Sequence, residues 1–387
     1  MKVKNVIIIN DFDFAQGGAS TVAIDTANAL VDAGYNVTFF SVVHNENSSL
    51  DERVNRVCLY GEEAFHYDNK VIGFVKGIKN KECGKALEKL LKNYSNKDTI
   101  VHVHGWTKAC SSIVFNVLEM NNFKIFLTLH DYFSVCPNGA FLNFKSNKCC
   151  LLKACSFKCL MTNCDSRNYI FKLYRFIREK QYYKDIHLEK FNLIFVSDLQ
   201  RQLICEQKEI SKNSCIICSP IEELDRSYQS KKLYDYVYVG RDSTEKGTDL
   251  FIELANVLSE YNFLFVGDYK RNKPKNLNVT GWVTELEVEH YLKQSRCLIV
   301  PSLLPEPFGL VVVKAISFGL TCVVSDNIGA RDYINDNTGL TFIQGDVNDL
   351  VSKAQQALDI RPEKFENVLV SKRNYVDKII EFYKKAE

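Results

Sequence analysis

Short apolar runs alternate with stretches of helical periodicity along most of the chain. Val6–Ile9, Val37–Phe40, Ile100–Val103, Ile125–Leu129, Leu193–Val196 and Ile216–Cys218 predict one series of strands. Tyr236–Val239, Phe263–Val266, Leu298–Val300 and Cys322–Val324 predict a second. Helical spacing fills the gaps, as in Val22–Leu30 and Leu250–Leu258. Strand–helix alternation of this kind implies parallel, doubly wound sheets. The two series meet near Ser219–Lys232, in a polar stretch after Pro220. The expected architecture is therefore α/β, with two Rossmann-like domains facing across a cleft. Residues 1–219 would form the first and 220–369 the second. The last segment, Lys372–Lys385, places Val376, Ile379, Ile380 and Tyr383 at helical spacing. Residues 370–387 are expected to cross back as a helix onto the first domain. There is no sequence-level repeat and no low-complexity tract.

Composition changes this picture little. A chain of 387 residues exceeds what one hydrophobic core usually supports, in keeping with two domains. Apolar content of 46% and charged content of 25% are ordinary for a soluble globular protein. A net charge of +2 offers no global reason to invoke nucleic acid. No apolar run reaches membrane-span length. The opening MKVKNVIII enters a polar NDFDF segment at once, so it reads as a first strand rather than a signal peptide. Fourteen cysteines without a secretion signal point to a reducing cytoplasm, with thiols free or metal-bound.

The candidate chemistry gathers at strand ends. In Pro301–Gly319, PSLLPEPFGLVVVKAISFG, the run Cys297–Val300 feeds a Pro-rich loop that carries Glu306 just before a glycine turn and an apolar helix. Open α/β sheets bind ligands beyond the carboxyl ends of such strands. The amides of Gly309, Leu310 and Val311 would open the helix, where orphan N–H groups favour phosphate. A carboxylate beside them suits a ligand with both sugar hydroxyls and a diphosphate; an exposed Glu on a loop corner is the plainer alternative. Tyr238–Gly247, YVGRDSTEKG, follows the first strand of the second series. Arg241 and Lys246 can converge there on one anion, as a planar fork and a mobile point charge, although a solvated charged loop is common. Gly240 and Gly247 permit a tight backbone, and Thr248 or Asp249 can open the next helix.

Near the N-terminus, Gln16–Ser20 (QGGAS) forms a glycine turn without a full dinucleotide fingerprint, which disfavours a nicotinamide enzyme. Asp11 and Asp13 in the same loop could meet an acceptor hydroxyl or simply form the turn. Two histidine segments, His102–Trp106 and Leu129–Tyr132, end strands of the first domain. Strand alternation puts His102 and His104 on one face, and His130 stands just past its strand. Such positions suit sugar contact or polarisation of a reacting hydroxyl.

Taken in order, GGAS, HVHGW, TLHDY, VGRDSTEKGTDLFIELA, NVTGWVTELEVEHYL, PSLLPEPFGLVVVKAISFG, TCVVSDNIGARDYI and NTGLTFIQGD span nearly the whole chain. Together they resemble retaining nucleotide-sugar glycosyltransferases of family 4, which have the GT-B architecture. The resemblance implies a donor site of Gly17, Gly18, Arg241, Lys246, Glu306, Phe308, Gly309, Leu310 and Val311, with Arg241 and Lys246 on the diphosphate. It implies catalytic contacts from Glu306 to the donor sugar and from His130 near the anomeric centre. It further implies a nucleotide-sugar donor, a glycan or lipid-linked acceptor and a role in bacterial surface-polysaccharide biosynthesis. No cofactor or catalytic metal is expected, because cationic side chains and helix dipoles stabilise the leaving nucleotide. One position departs from the family: its second glutamate, eight residues after the first, is Lys314 here. An ammonium has no acceptor for ribose hydroxyls. Either another acceptor holds the ribose, or Lys314 reaches a phosphate, or donor binding is weakened. The last would suit a non-catalytic binding or regulatory subunit.

Six cysteines fall within the expected insertion at about 136–164. Four thiolates can fold such a loop around structural zinc, for which Cys136, Cys150, Cys159 and Cys164 are the evenly spaced set. Cys215 and Cys218 lie three apart on a strand and so read as core. Residues 167–190 then form a basic, aromatic helix. It could lie on an anionic membrane, making the protein peripheral at the inner face, or use Tyr169, Leu173 and Phe176 as core.

Overall fold

The computed structural model describes residues 3–220, 231–360 and 371–385; most of the expected junction Ser219–Lys232, and the expected boundary between residues 369 and 370, lie outside the described residues. The chain begins with β1 (Asn5–Ile9), α1 (Gly18–Asp32), β2 (Asn36–Ser41) and β3 (Asn55–Cys58). Next come α2 (Lys70–Ile78), α3 (Lys81–Leu91), β4 (Thr99–Val103), α4 (Ile113–Met120) and β5 (Lys124–Leu129). A short hairpin, β6 (Leu142–Asn143) and β7 (Lys148–Cys149), precedes α5 (Phe157–Met161) and α6 (Tyr169–Asp185). The first series closes with β8 (Asn192–Phe195), α7 (Asp198–Cys205) and β9 (Ser214–Ile216). The second runs through β10 (Tyr234–Val239), α8 (Thr248–Val257), β11 (Phe263–Val266), β12 (Leu277–Val279) and α9 (Glu285–Lys293). It continues with β13 (Ser295–Val300), α10 (Leu310–Ser317), β14 (Thr321–Ser325), β15 (Gly339–Phe342) and α11 (Val347–Ala357), and α12 (Lys372–Lys385) ends the described chain.

Two parallel sheets result. The first has the order β3-β2-β1-β4-β5-β8-β9 and the second β12-β11-β10-β13-β14-β15. Central strands such as Val6–Ile9 are wholly buried, as expected where helices cover both faces and the strand reads as an unbroken apolar run. In each sheet the first strand pairs on both sides, β1 with β2 and β4, β10 with β11 and β13. The loops after β1 and β4, and those after β10 and β13, therefore flank the switch points where such sheets bind ligands.

The compact units do not follow chain order. Helix α12 belongs to the first, as expected: Tyr375, Val376, Ile379, Phe382 and Tyr383 join the core of β1, β2 and α1. Residues 140–151, expected within a first-domain insertion, belong instead to the second unit. There the Cys149 thiol lies 3.2 Å from Asn327 Nδ2 and 3.4 Å from Gln344 Nε2. Helix α6 is shorter than its basic-aromatic stretch. Phe176 is buried as a core residue would be, whereas Leu173 is exposed. Among the described residues no helix is long and apolar enough to cross a membrane.

Candidate functional site

In the second unit, two loops meet at the switch point. Gly247 makes this approach feasible: its φ is +70°, and a Cβ there would stand 1.7 Å from the Pro301 carbonyl oxygen. The amides of Leu303 and Leu304 donate to the Glu245 carbonyl at 2.9 and 3.2 Å, tying the loop after β13 to the loop after β10. Lys246 is thereby delivered to Glu306, with Nζ 2.7 Å from Oε1. Ser302 Oγ donates to the same oxygen. Among the described residues Oε2 makes no hydrogen bond, so it is the oxygen available to a ligand.

The Glu306 backbone is fixed on both sides. Its amide donates to the Asn327 carbonyl at 3.1 Å and its carbonyl accepts from Gly329 at 2.9 Å. Glu306 is a buried carboxylate. Burial pushes its pKa up, but the Lys246 ammonium and the Ser302 hydroxyl outweigh that and hold it below the usual carboxylate value. Arg241 lies in the same loop as Lys246 yet stays mostly exposed, with Nη2 3.9 Å from Glu245 Oε1. The two cations share a loop, then, but only Lys246 engages the carboxylate.

Helix α10 starts at Leu310 with Gly309 as its N-cap at φ +103° and no side-chain cap. The Val312 amide donates to the Gly309 carbonyl at 3.0 Å, so the amides of Leu310 and Val311 are the ones left for water or a ligand. Phe308, just ahead, is buried against Tyr333. Further along the helix, Lys314 Nζ lies 2.7 Å from Glu285 Oε1 and 3.0 Å from Glu289 Oε1, both on α9. Burial lowers the Lys314 pKa, but the two carboxylates outweigh it and the net shift is upward. Neither Ser302 nor Glu289 was apparent from the sequence. Ser302 sits four residues before Glu306 without a motif of its own, and Glu289 belongs to a helix whose contact with α10 no local pattern reveals.

In the first unit, Gly17 caps α1 at φ +96°, and Gly18 is the first helical residue. Asp11 and Asp13 prove to be loop formers. Asp11 accepts from the amides of Lys108, Ala109 and Cys110 at 2.8–3.0 Å, and Asp13 accepts from His44 and Asn45. The three histidines stand together. His102 and His104 rings lie 4.2 Å apart, and His104 Nδ1 is 3.0 Å from His130 Nε2. His102 is held by Tyr383 Oη at 2.6 Å and Thr128 Oγ1 at 2.7 Å. Burial pushes His130 down to about 4, and burial with the neighbouring His130 pushes His102 down to about 3. At neutral pH the cluster is uncharged and exchanges hydrogen bonds rather than offering a cation.

The expected thiolate set is not assembled. Cys150 lies in the hairpin segment of the second unit, whereas Cys136, Cys159 and Cys164 lie in the first. Among the described residues no three His, Cys, Asp or Glu side chains are placed to share a metal ion. The Lys172 ammonium stands 3.3 Å from both Cys159 Sγ and Cys164 Sγ, where a divalent ion would have to sit.

Residues 220–385 match the family described as glycosyl transferases group 1. A protein of the Klebsiella pneumoniae cps region is 22% identical over 374 residues, covering 90% of this chain and 92% of that one. An uncharacterized glycosyltransferase of Haemophilus influenzae is 24% identical, covering 95% of each chain. A Rickettsia africae glycosyltransferase structure superposes over 100% of this chain and 99% of its own, with a TM-score of 0.70 at 16% identity. Anabaena HepE, solved in complex with UDP and glucose, covers 99% of this chain and 100% of its own, with a TM-score of 0.64 at 12% identity. Residues 220–385 thus match the group 1 glycosyltransferase family, and the chain as a whole has the GT-B fold.

Proposed function

We propose that the protein is a retaining glycosyltransferase that moves a sugar from a nucleotide-sugar donor to a glycan or lipid-linked acceptor in bacterial surface-polysaccharide assembly. The Lys246–Glu306 pair at the switch point of the second sheet carries this reading. Glu306 Oε2 would accept from donor-sugar hydroxyls. Lys246, the exposed Arg241 and the first amides of α10 would take the diphosphate, stabilising the charge that develops as the nucleotide leaves. Gly17 and Gly18 would bring backbone amides to the donor phosphates. His130, neutral and hydrogen-bonded to His104, would accept a hydrogen bond from, or donate one to, the sugar near its anomeric carbon. The cps-region relative supports the pathway, and the UDP complex of HepE supports a nucleoside diphosphate as leaving group.

The ribose contact follows from Lys314. Because Lys314 holds Glu285 and Glu289, a carboxylate returns to this part of α10 from the neighbouring helix. We assign ribose recognition to Glu289, the more enclosed of the two. Lys314 then has a role compatible with turnover, which favours the catalytic reading over the non-catalytic one.

The deciding experiment is a nucleotide-sugar screen that follows nucleoside diphosphate release with and without a chelator, together with the anomeric configuration of the product by NMR. Release from at least one donor that survives chelation and vanishes in Glu306→Gln supports the proposal. Inversion at the anomeric carbon would overturn the retaining assignment, and equal release by Glu306→Gln would overturn the site.

A further inference from the structure

Helix α2 is built inside out. Its buried positions are Gly73 and Gly77, while Val71, Ile72 and Val75 face solvent, Val71 at 71% exposure. The glycines press the helix onto its neighbours: a Cβ on Gly77 would lie 2.2 Å from Tyr174 Oη of α6, and one on Gly73 would lie 2.1 Å from the Ala64 carbonyl oxygen. Phe74 completes the contact by stacking on Tyr174 at 4.6 Å. Packing thus uses the smallest residues and leaves the branched aliphatic ones outside, the reverse of an ordinary surface helix.

Helix α6 continues the same face. Its exposed stripe reads Ile170, Leu173, Ile177, Lys180 and Lys184, spaced three or four apart, so it is apolar at one end and basic at the other. Helix α2 flanks the stripe on one side through Phe171 and Tyr174. Helix α5 flanks it on the other, where the Tyr169 hydroxyl donates to the Leu160 carbonyl at 2.9 Å. That short helix exposes Phe157 and Met161 at 76% and 62%, with Lys158 beside them. Three touching helices therefore present one aliphatic and aromatic surface. Soluble monomers rarely leave so continuous an apolar patch to water.

Its charge is one-sided. No exposed residue of α2, α5 or α6 is acidic, since Glu179 and Asp185 of α6 are both buried. The adjacent Glu82 of α3 is neutralised by Lys76 of α2 at 2.7 Å. Apart from Asp68 and Glu62, exposed in the segment ahead of α2, the charges beside these apolar side chains are basic. Such a surface matches a bilayer interface, where the chains enter the acyl boundary and the ammonium groups meet anionic headgroups.

We propose that the outer face of α2, α5 and α6 docks the protein peripherally on an anionic lipid bilayer. This inference is independent of the transfer reaction. It is tested by co-sedimenting the full-length protein with vesicles of phosphatidylcholine alone or mixed with phosphatidylglycerol. The protein should pellet with the mixed vesicles, less with the neutral ones, and progressively less as salt rises. Combined Val71→Ser, Ile170→Ser and Ile177→Ser substitutions should abolish pelleting, while Lys180→Ala and Lys184→Ala should each weaken it about five-fold. Unchanged circular dichroism would confirm that these surface variants remain folded. Absence of pelleting with phosphatidylglycerol vesicles, or pelleting unaffected by the triple substitution, would overturn the proposal. So would a sedimentation-velocity dimer that the triple substitution dissolves, because the face would then be covered by a second copy.

Discussion

Lys246 and Glu306 are sixty residues apart in sequence and 2.7 Å apart in space, and each accounts for the other's state. The ammonium keeps a buried carboxylate ionised, and the carboxylate restrains a side chain that would otherwise wander at a loop tip. Removing the cation should therefore act on the anion. In Lys246→Met, Glu306 would lose its main opposing charge, and burial would raise its pKa. The acid limb of the kcat/KM profile should move to higher pH, with transfer falling about 100- to 1000-fold at neutral pH. A pH–rate series on wild type and variant checks both effects.

Gly247→Ala tests how the pair is assembled. The new methyl would meet the Pro301 carbonyl in a backbone conformation unfavourable to L-residues, at an intrinsic cost of about 1–2 kcal/mol before any clash. Urea unfolding should show the lower stability. The loops should separate, so nucleoside diphosphate affinity should fall further than in Gly281→Ala, where φ is +78° but a Cβ would meet nothing.

Tyr383→Phe removes the hydroxyl that holds His102 Nδ1 within a buried site. An orphaned buried polar group costs about 1–3 kcal/mol. Denaturation midpoints should show a loss of that size. Because His102 packs on His104, the chemical shifts of the whole histidine cluster should move with it.

Glu179 offers a test of burial alone. Among the described residues neither of its carboxylate oxygens has a hydrogen-bond partner, and burial raises its pKa from 4.5 to about 8. A raised carboxyl pKa means that stability is complete below about 4.5 and declines as pH climbs towards 8. Glu179→Gln should escape this decline. Its advantage over wild type should widen by up to about 1.4 kcal/mol per pH unit across that window and level off above it, as paired unfolding curves would record.

The central strands and the motif loops were legible because their signals are local: unbroken apolar runs, glycines at turns, and charged residues directly after strands. Strand β3 (Asn55–Cys58) was not, since an edge strand with Asn55 and Arg56 exposed carries no apolar run. Strand β12 spans only three residues, too few for periodicity to register. Asp11 could be read as an acceptor contact or, more ordinarily, as a turn former, and three amides from residues 108–110 make it a structural anchor. Helix α2 shows the deeper difficulty. Val71, Ile72 and Val75 read as core by hydrophobicity, and only the tertiary contacts of Gly73 and Gly77 reveal that the apolar side faces out. The salt links of Lys314 were hidden for the same reason, because they depend on which helix lies beside α10.

The attachment of α12 separates the order of synthesis from the order of completion. Thr26 of α1 bonds to Tyr375 at 2.9 Å, 349 positions further along the chain, and Asp25 pairs with Lys372. A nascent first unit therefore leaves the ribosome with a groove over α1 and β1 still bare, and must keep it from aggregating while the entire second unit is made. An isolated fragment ending at Pro220 should behave as an unfinished protein, soluble only when the α12 peptide is supplied in trans.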